Sequence, residues 1–100
     1  MRILLINGSP KGKASNSLQL AKAFAEGLGS AEKAETEQID LASLQLSGCK
    51  GCFSCWNKTP GQCVLRDDMA PLLEKMVLAD VIVYSFPLYY FNVPGLLKDF

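Results

Sequence analysis

The sequence has no histidine. That excludes every mechanism that needs an imidazole base and every zinc site with a histidine ligand. It also has no excess of charge, since ten Lys and Arg offset ten Asp and Glu. Nothing electrostatic therefore draws the chain to nucleic acid or to an anionic membrane, and neither is expected as a partner. No apolar run nears the ~20 residues of a membrane span. The opening run Met1–Ile6 is broken by Asn7, Gly8 and Lys11, too early for a signal peptide, and no small-residue cleavage site follows. A cytoplasmic protein is the expectation. Internal repeats and low-complexity segments are missing as well. What remains is ordinary: 49% hydrophobic and 20% charged residues, in a length of 100 that allows one domain.

Arg2–Asn7 reads as a strand. Ile3, Leu4, Leu5 and Ile6 run without alternation, as in a parallel sheet covered on both faces. A polar loop over residues 8–16 leads to a helix over about 17–28, with Leu18, Ala21, Phe24, Ala25 and Leu28 on one face. Ser15 or Asn16 can cap its start and Gly29 can close its end. Glu35–Leu41 is a more polar strand, nearer a sheet edge. Residues 43–65 have no period and hold all four cysteines. Asp67 and Asp68 offer caps to a helix with an apolar stripe of Met69, Leu72, Leu73, Met76 and Val77. Residues 80–86 form a second apolar strand, 87–92 an aromatic loop, and Pro94–Phe100 a third helix that starts on proline. Alternating units of this kind make an α/β parallel sheet, here of strand order 2-1-3. Three strands with an uncovered edge make a poor domain. The expectation is a chain cut short, or one that completes its sheet with another copy as a homo-oligomer.

Two loops carry the chemistry. Gly8–Ser17 joins a buried strand to a helix N-terminus, where free N–H groups and the helix dipole favour an anion. Ser9, Ser15, Ser17 and Asn16 add neutral donors that suit a phosphate monoester. The loop is no nucleoside-triphosphate P-loop: three residues, not four, separate Gly8 from Gly12, and Ala14 stands where a magnesium-binding hydroxyl is needed. The dinucleotide pattern G-x-G-x-x-G is absent too. A solvated turn that binds nothing is the alternative. The second loop, Pro87-Leu88-Tyr89-Tyr90-Phe91-Asn92, puts three consecutive aromatics after a buried strand, which suits a planar ligand or, alternatively, a packing surface. In a 2-1-3 sheet both loops leave the carboxyl ends of neighbouring strands, where such sheets bind ligands. One loop is built for a phosphate and the other for a flat ring, and FMN has both parts.

Cys49-x2-Cys52-x2-Cys55-x7-Cys63 forms one compact run. Two-residue spacings let successive thiolates turn toward a common centre, and a fourth after a short loop resembles the ligand set of a [4Fe–4S] cluster. Gly48 and Gly51 permit the tight turns this takes. Structural zinc more often uses two separated C-x2-C pairs. Zinc, free thiols and disulfides stay open as alternatives.

The chain resembles the flavodoxin-like NAD(P)H-dependent FMN reductase family, and more closely its iron–sulfur flavoprotein branch. The resemblance rests on Gly8-Ser9-Pro10-Lys11 with Ser15-Asn16-Ser17, the run Cys49–Asp68, Ala79-Asp80, and Pro87-Leu88-Tyr89-Tyr90 with Gly95-Leu96-Leu97-Lys98. It implies that residues 1–100 are the N-terminal portion of one flavodoxin-like FMN-binding domain with a cysteine-rich insert at about 47–65. It also implies that Ser9, Lys11, Ser15, Asn16 and Ser17 hold the FMN phosphate, that Pro87, Leu88, Tyr89, Tyr90 and Phe91 flank the ribityl chain and ring, and that Cys49, Cys52, Cys55 and Cys63 bind the cluster. Electrons would pass from NAD(P)H or a ferredoxin-like donor through FMN to an acceptor. No catalytic acid or base is needed, which agrees with the missing histidine. The other classes are a non-enzymatic electron carrier and a metal-binding module without flavin.

Overall fold

The uninterrupted apolar run near the N-terminus becomes the middle strand of a three-stranded parallel sheet in a computed structural model that describes residues Met1 to Phe100. This strand, β1 (Arg2–Asn7), pairs with β2 (Glu35–Asp40) on one side and β3 (Val81–Ser85) on the other, in the order β2-β1-β3. Asn7 stands opposite Asp40 in one register and Ser85 in the other, so the three strands end level. Ile3 to Ile6 are each at most 2% exposed, which is why they do not alternate with polar residues. β2 and β3 are outer strands, and their residues are exposed or half-buried apart from Ser85.

Alternation along β1 divides the core. Leu4 and Ile6 meet Leu41, Leu72 and Leu97 on one face, while Leu5 meets Leu18 and Ala21 on the other. The second face is covered by α1 (Asn16–Ala31), the first by α3 (Met69–Leu78) and α4 (Gly95–Asp99). A short helix, α2 (Ser54–Asn57), lies inside the cysteine run. Fully burying one such leucine is worth about 1.5–3 kcal/mol, so the two clusters suffice to fix β1 in the middle and to seat helices on both faces. The three-layer arrangement and the strand order are those the sequence pattern predicts.

Three local expectations are corrected. Gly29 does not end α1; the helix runs on to Ala31, and the Glu32 amide bonds the Leu28 carbonyl. A helical glycine costs only about 1 kcal/mol, too little to stop a helix anchored by Leu18, Ala21 and Ala25. Phe24 is exposed rather than buried, because the stripe of α1 that reaches the sheet is the narrower one formed by those three residues. On α3, Leu72 is buried and Met69 and Met76 pack beside it, but Leu73 and Val77 face outward.

Candidate functional site

The loop after β1 is held from below by a single side chain. Asn7 is fully buried. Its amide nitrogen donates to the Gly12 carbonyl and to Asp40 Oδ1, both at 2.9 Å, and its Oδ1 accepts the Ser9 amide at 3.2 Å. Asp40 comes from the end of β2, so one asparagine ties the loop to the neighbouring strand. Ser9 is also buried, and its Oγ accepts the Lys11 amide. Gly12 takes φ +58°, a conformation that disfavours any residue with a Cβ. Ser15 is buried at the N-cap position of α1, with Asn16 and Ser17 opening the helix beyond it. Lys11 and Lys13 point to solvent. The expected donors Ser9, Ser15, Asn16 and Ser17 thus line one continuous turn onto a helix N-terminus.

The loop after β3 is an aromatic hairpin. Tyr89 and Asn92 exchange backbone hydrogen bonds of 2.9 Å in both directions. Between them Tyr90 (φ 48°) and Phe91 (φ 63°) both take left-handed backbone, and both rings stand almost fully in solvent. Leu88 and Tyr89 are exposed too, whereas Pro87 is half-buried. Pro94 is buried at the N-cap of α4.

The two loops touch at their roots. The Gly8 amide donates to the Ser85 carbonyl at 2.8 Å. A Cβ on Gly8 would lie 2.9 Å from Leu97 Cβ, so only glycine lets α4 close on the loop at this point. The phosphate-type turn and the aromatic hairpin are therefore neighbours at one end of the sheet, in the crevice where ligands bind in doubly wound folds. One side chain there is unusual: Ser85 Oγ is the single buried side-chain nitrogen or oxygen with no hydrogen-bond partner.

Residues 1–100 match the family described as NADPH-dependent FMN reductase. The chain belongs to this family. Among its relatives, an iron–sulfur flavoprotein of Archaeoglobus fulgidus is 39% identical over 99% of this chain and 46% of its own length. One from Methanocaldococcus jannaschii is 37% identical over 98% and 49%, and an FMN-dependent NADH:quinone oxidoreductase of Pseudoalteromonas atlantica is 31% identical over 96% and 50%. An FMN-dependent NADH-azoreductase of Bacillus anthracis, solved with FMN, superposes with a TM-score of 0.62 at 29% identity, covering 99% of this chain and 53% of that one. The fold is accordingly flavodoxin-like. The chain spans about half the length of the curated relatives it matches.

The cysteine run departs from expectation. Cys49, Cys52, Cys55 and Cys63 are all exposed and unpaired, and no three Cys, Asp or Glu side chains come together as a metal-sized group. The spacing permits convergence but does not impose it. Four thiolates repel one another, so without a bound metal nothing draws them together. Three of the four sulfurs, those of Cys49, Cys52 and Cys63, nonetheless take local hydrogen bonds. Cys49 Sγ accepts the Gly51 amide and Cys63 Sγ the Leu65 amide, both at 3.4 Å. The hydroxyl and amide of Ser54, with help from nearby Lys50, hold the Cys52 thiol below its ordinary pKa. At Cys52 this favours the thiolate form.

The base of this run is clasped by the two aspartates read as caps. Asp67 Oδ1 accepts the Met69 amide and caps α3, while its Oδ2 accepts the Ser47 amide at 2.8 Å. Asp68 occupies the N-cap position but makes no capping bond; its Oδ2 takes the Gln45 amide at 2.7 Å. The Ser47 and Met69 amides hold the Asp67 carboxyl below its usual range. A lowered carboxyl pKa stabilises the fold above the unfolded value of about 3.9 and loses that contribution as pH falls through the folded value. The Ser47 amide should therefore keep its protection down to the ordinary carboxylate value of about 3.9 and lose it only at lower pH, as the Asp67 carboxylate is protonated; hydrogen exchange followed by NMR would read this. Asp67→Asn should abolish that pH step, and a step that persists in the variant would assign it to another group.

Sequence reasoning missed Asn7, Asp40 and Ser85. The only signal was a polar residue closing each strand of the sheet, with Asn7, Asp40 and Ser85 at matched ends.

Proposed function

We propose that the protein is an FMN-dependent oxidoreductase that takes electrons from a reduced nicotinamide and passes them through FMN to an acceptor. The observation that carries this is the Gly8–Ser85 hydrogen bond, which sets an anion-binding turn beside an aromatic hairpin. The residues fit the group. Ser9, Lys11, Ser15, Asn16 and Ser17 would hold the phosphate with neutral donors, the first turn of α1 and one cation. Pro87, Leu88, Tyr89, Tyr90 and Phe91 would flank the ribityl chain and ring. FMN supplies the redox chemistry when bound, and the protein binds, orients and shields it.

Cys49, Cys52, Cys55 and Cys63 would hold a [4Fe–4S] cluster that exchanges electrons with the flavin. The hydrogen bonds to Cys49, Cys52 and Cys63 support this, as do relatives named iron–sulfur flavoproteins. We place the protein in the cytoplasm, and as a homo-oligomer, since β3 has no partner on its outer side and Leu73 and Val77 lie uncovered.

A visible spectrum of the complete protein prepared anaerobically, with iron and sulfide analysis, tests both cofactors. Flavin bands, bound iron and NADH or NADPH oxidation are the expected results. A colourless protein that ignores added FMN would refute the flavin reading. Flavin without iron after anaerobic reconstitution would refute the cluster alone. Reduction only by a ferredoxin-like donor would make the protein an electron carrier instead.

A further inference from the structure

We infer that Ser85 is a binding residue of the mononucleotide site, its hydroxyl donating a hydrogen bond to an oxygen on the phosphate-bearing arm of the bound molecule. This rests on the flavin reading above and adds to it a residue outside both loops.

Ser85 is 5% exposed and its Oγ has no partner. Leaving a buried hydroxyl unpaired is costly, and such groups are retained where something else satisfies them. Two residues earlier on the same strand, Val83 packs against the Leu5, Leu18 and Ala21 cluster beneath α1. Side chains alternate along a strand, so Ser85 is directed to that same face, one step nearer the carboxyl end. There the sheet gives way to the start of α1, with Ser15 buried at its N-cap. Asn7, opposite Ser85 in the register, already makes three hydrogen bonds with its side chain. The Ser85 carbonyl is taken by Gly8. Ser85 Oγ is thus the one fully buried side-chain oxygen with no partner between the helix N-terminus and the root of the aromatic loop. Packing gives no reason for it, since Val81 and Val83 fill the preceding positions on that side of β3.

Fluorescence titration of the FMN-free protein with FMN, for wild type, Ser85→Ala and Ser85→Cys, tests the assignment alongside thermal melting of the three FMN-free proteins. Alanine deletes the donor, and cysteine keeps a side chain while donating only weakly. Both variants should bind FMN roughly tenfold more weakly. Ser85→Ala should melt without FMN no lower than wild type, because it removes an unsatisfied group and not a contact. Wild-type affinity in both variants would overturn the role of Ser85 and leave the flavin site standing. A lowered melting point in FMN-free Ser85→Ala that accounts for the lost affinity would also overturn it, as a structural role. Failure of the wild type itself to bind FMN would overturn the flavin reading and this inference together.

Discussion

Asn7→Leu is expected to destabilise the protein by about 2–4 kcal/mol, close to half the stability of a typical small domain. The substitution keeps the same number and branching of heavy atoms, so the loss arises from hydrogen bonding and not from a cavity. It strips partners from the Ser9 amide, the Gly12 carbonyl and Asp40. Ser9 is buried, so its amide has no access to water and bears the full cost of an unmade bond, about 1–3 kcal/mol. Gly12 and Asp40 are half-exposed and recover part of theirs from solvent. Urea unfolding should show an earlier midpoint with an unchanged slope, since the surface exposed on unfolding is the same. FMN affinity should fall by more than the stability change alone explains, because the loop that carries Ser9 and Lys11 loses the tether that shapes it. Asn7→Asp is not a rescue. It keeps the acceptor for Ser9 but sets a second carboxylate against that of Asp40, where the amide nitrogen now donates. A stability of Asn7→Leu within about 0.5 kcal/mol of wild type, the scatter of ordinary surface substitutions, would show that the loop shapes itself.

That role illustrates what the sequence could and could not disclose. The strand order and both loops at the strand ends were legible, because they follow from apolar runs and from glycine, serine and aromatic residues at fixed places after them. Asn7 was not. It reads as the first polar residue of a loop, and its function depends on Asp40, 33 residues away in sequence and opposite it in the sheet. The outward placement of Phe24, Leu73 and Val77 was hidden for a related reason: helical spacing gives the direction of an apolar stripe but not how wide a strip of it the sheet can cover. The cysteine spacing fixes which sulfurs are available but does not bring them together, and all four stand exposed and apart. The clasp of Asp67 and Asp68 on Ser47 and Gln45 likewise joins segments some twenty residues apart. Local pattern places an aspartate before a helix without naming a second amide for it.

The hairpin tip offers the opposite experiment, a gain in stability at the expense of binding. Tyr90 and Phe91 both hold positive φ between two reciprocal backbone bonds, the arrangement of a type I′ turn. That turn selects Asn-Gly, because each bulky L-residue in left-handed backbone costs roughly 1–2 kcal/mol. Neither ring recovers the cost by burial, since they are 99% and 96% exposed. Replacing the pair, Tyr90→Asn with Phe91→Gly, should therefore stabilise the FMN-free protein by about 1–3 kcal/mol, or some 4–8 °C in Tm for each kcal/mol. The same change removes two aromatic faces, each worth about 0.5–1.5 kcal/mol in a ring contact, so FMN should bind about fivefold more weakly or worse. Opposite signs in the two measurements are the signature of strain kept for a ligand. If the double variant gains stability and still binds FMN as tightly as wild type, the rings have no part in holding the flavin, and the hairpin is strained for some other contact. If it loses stability, the left-handed pair is not strained in solution, and the ring contacts must be sought elsewhere in the loop, at Pro87 and Leu88.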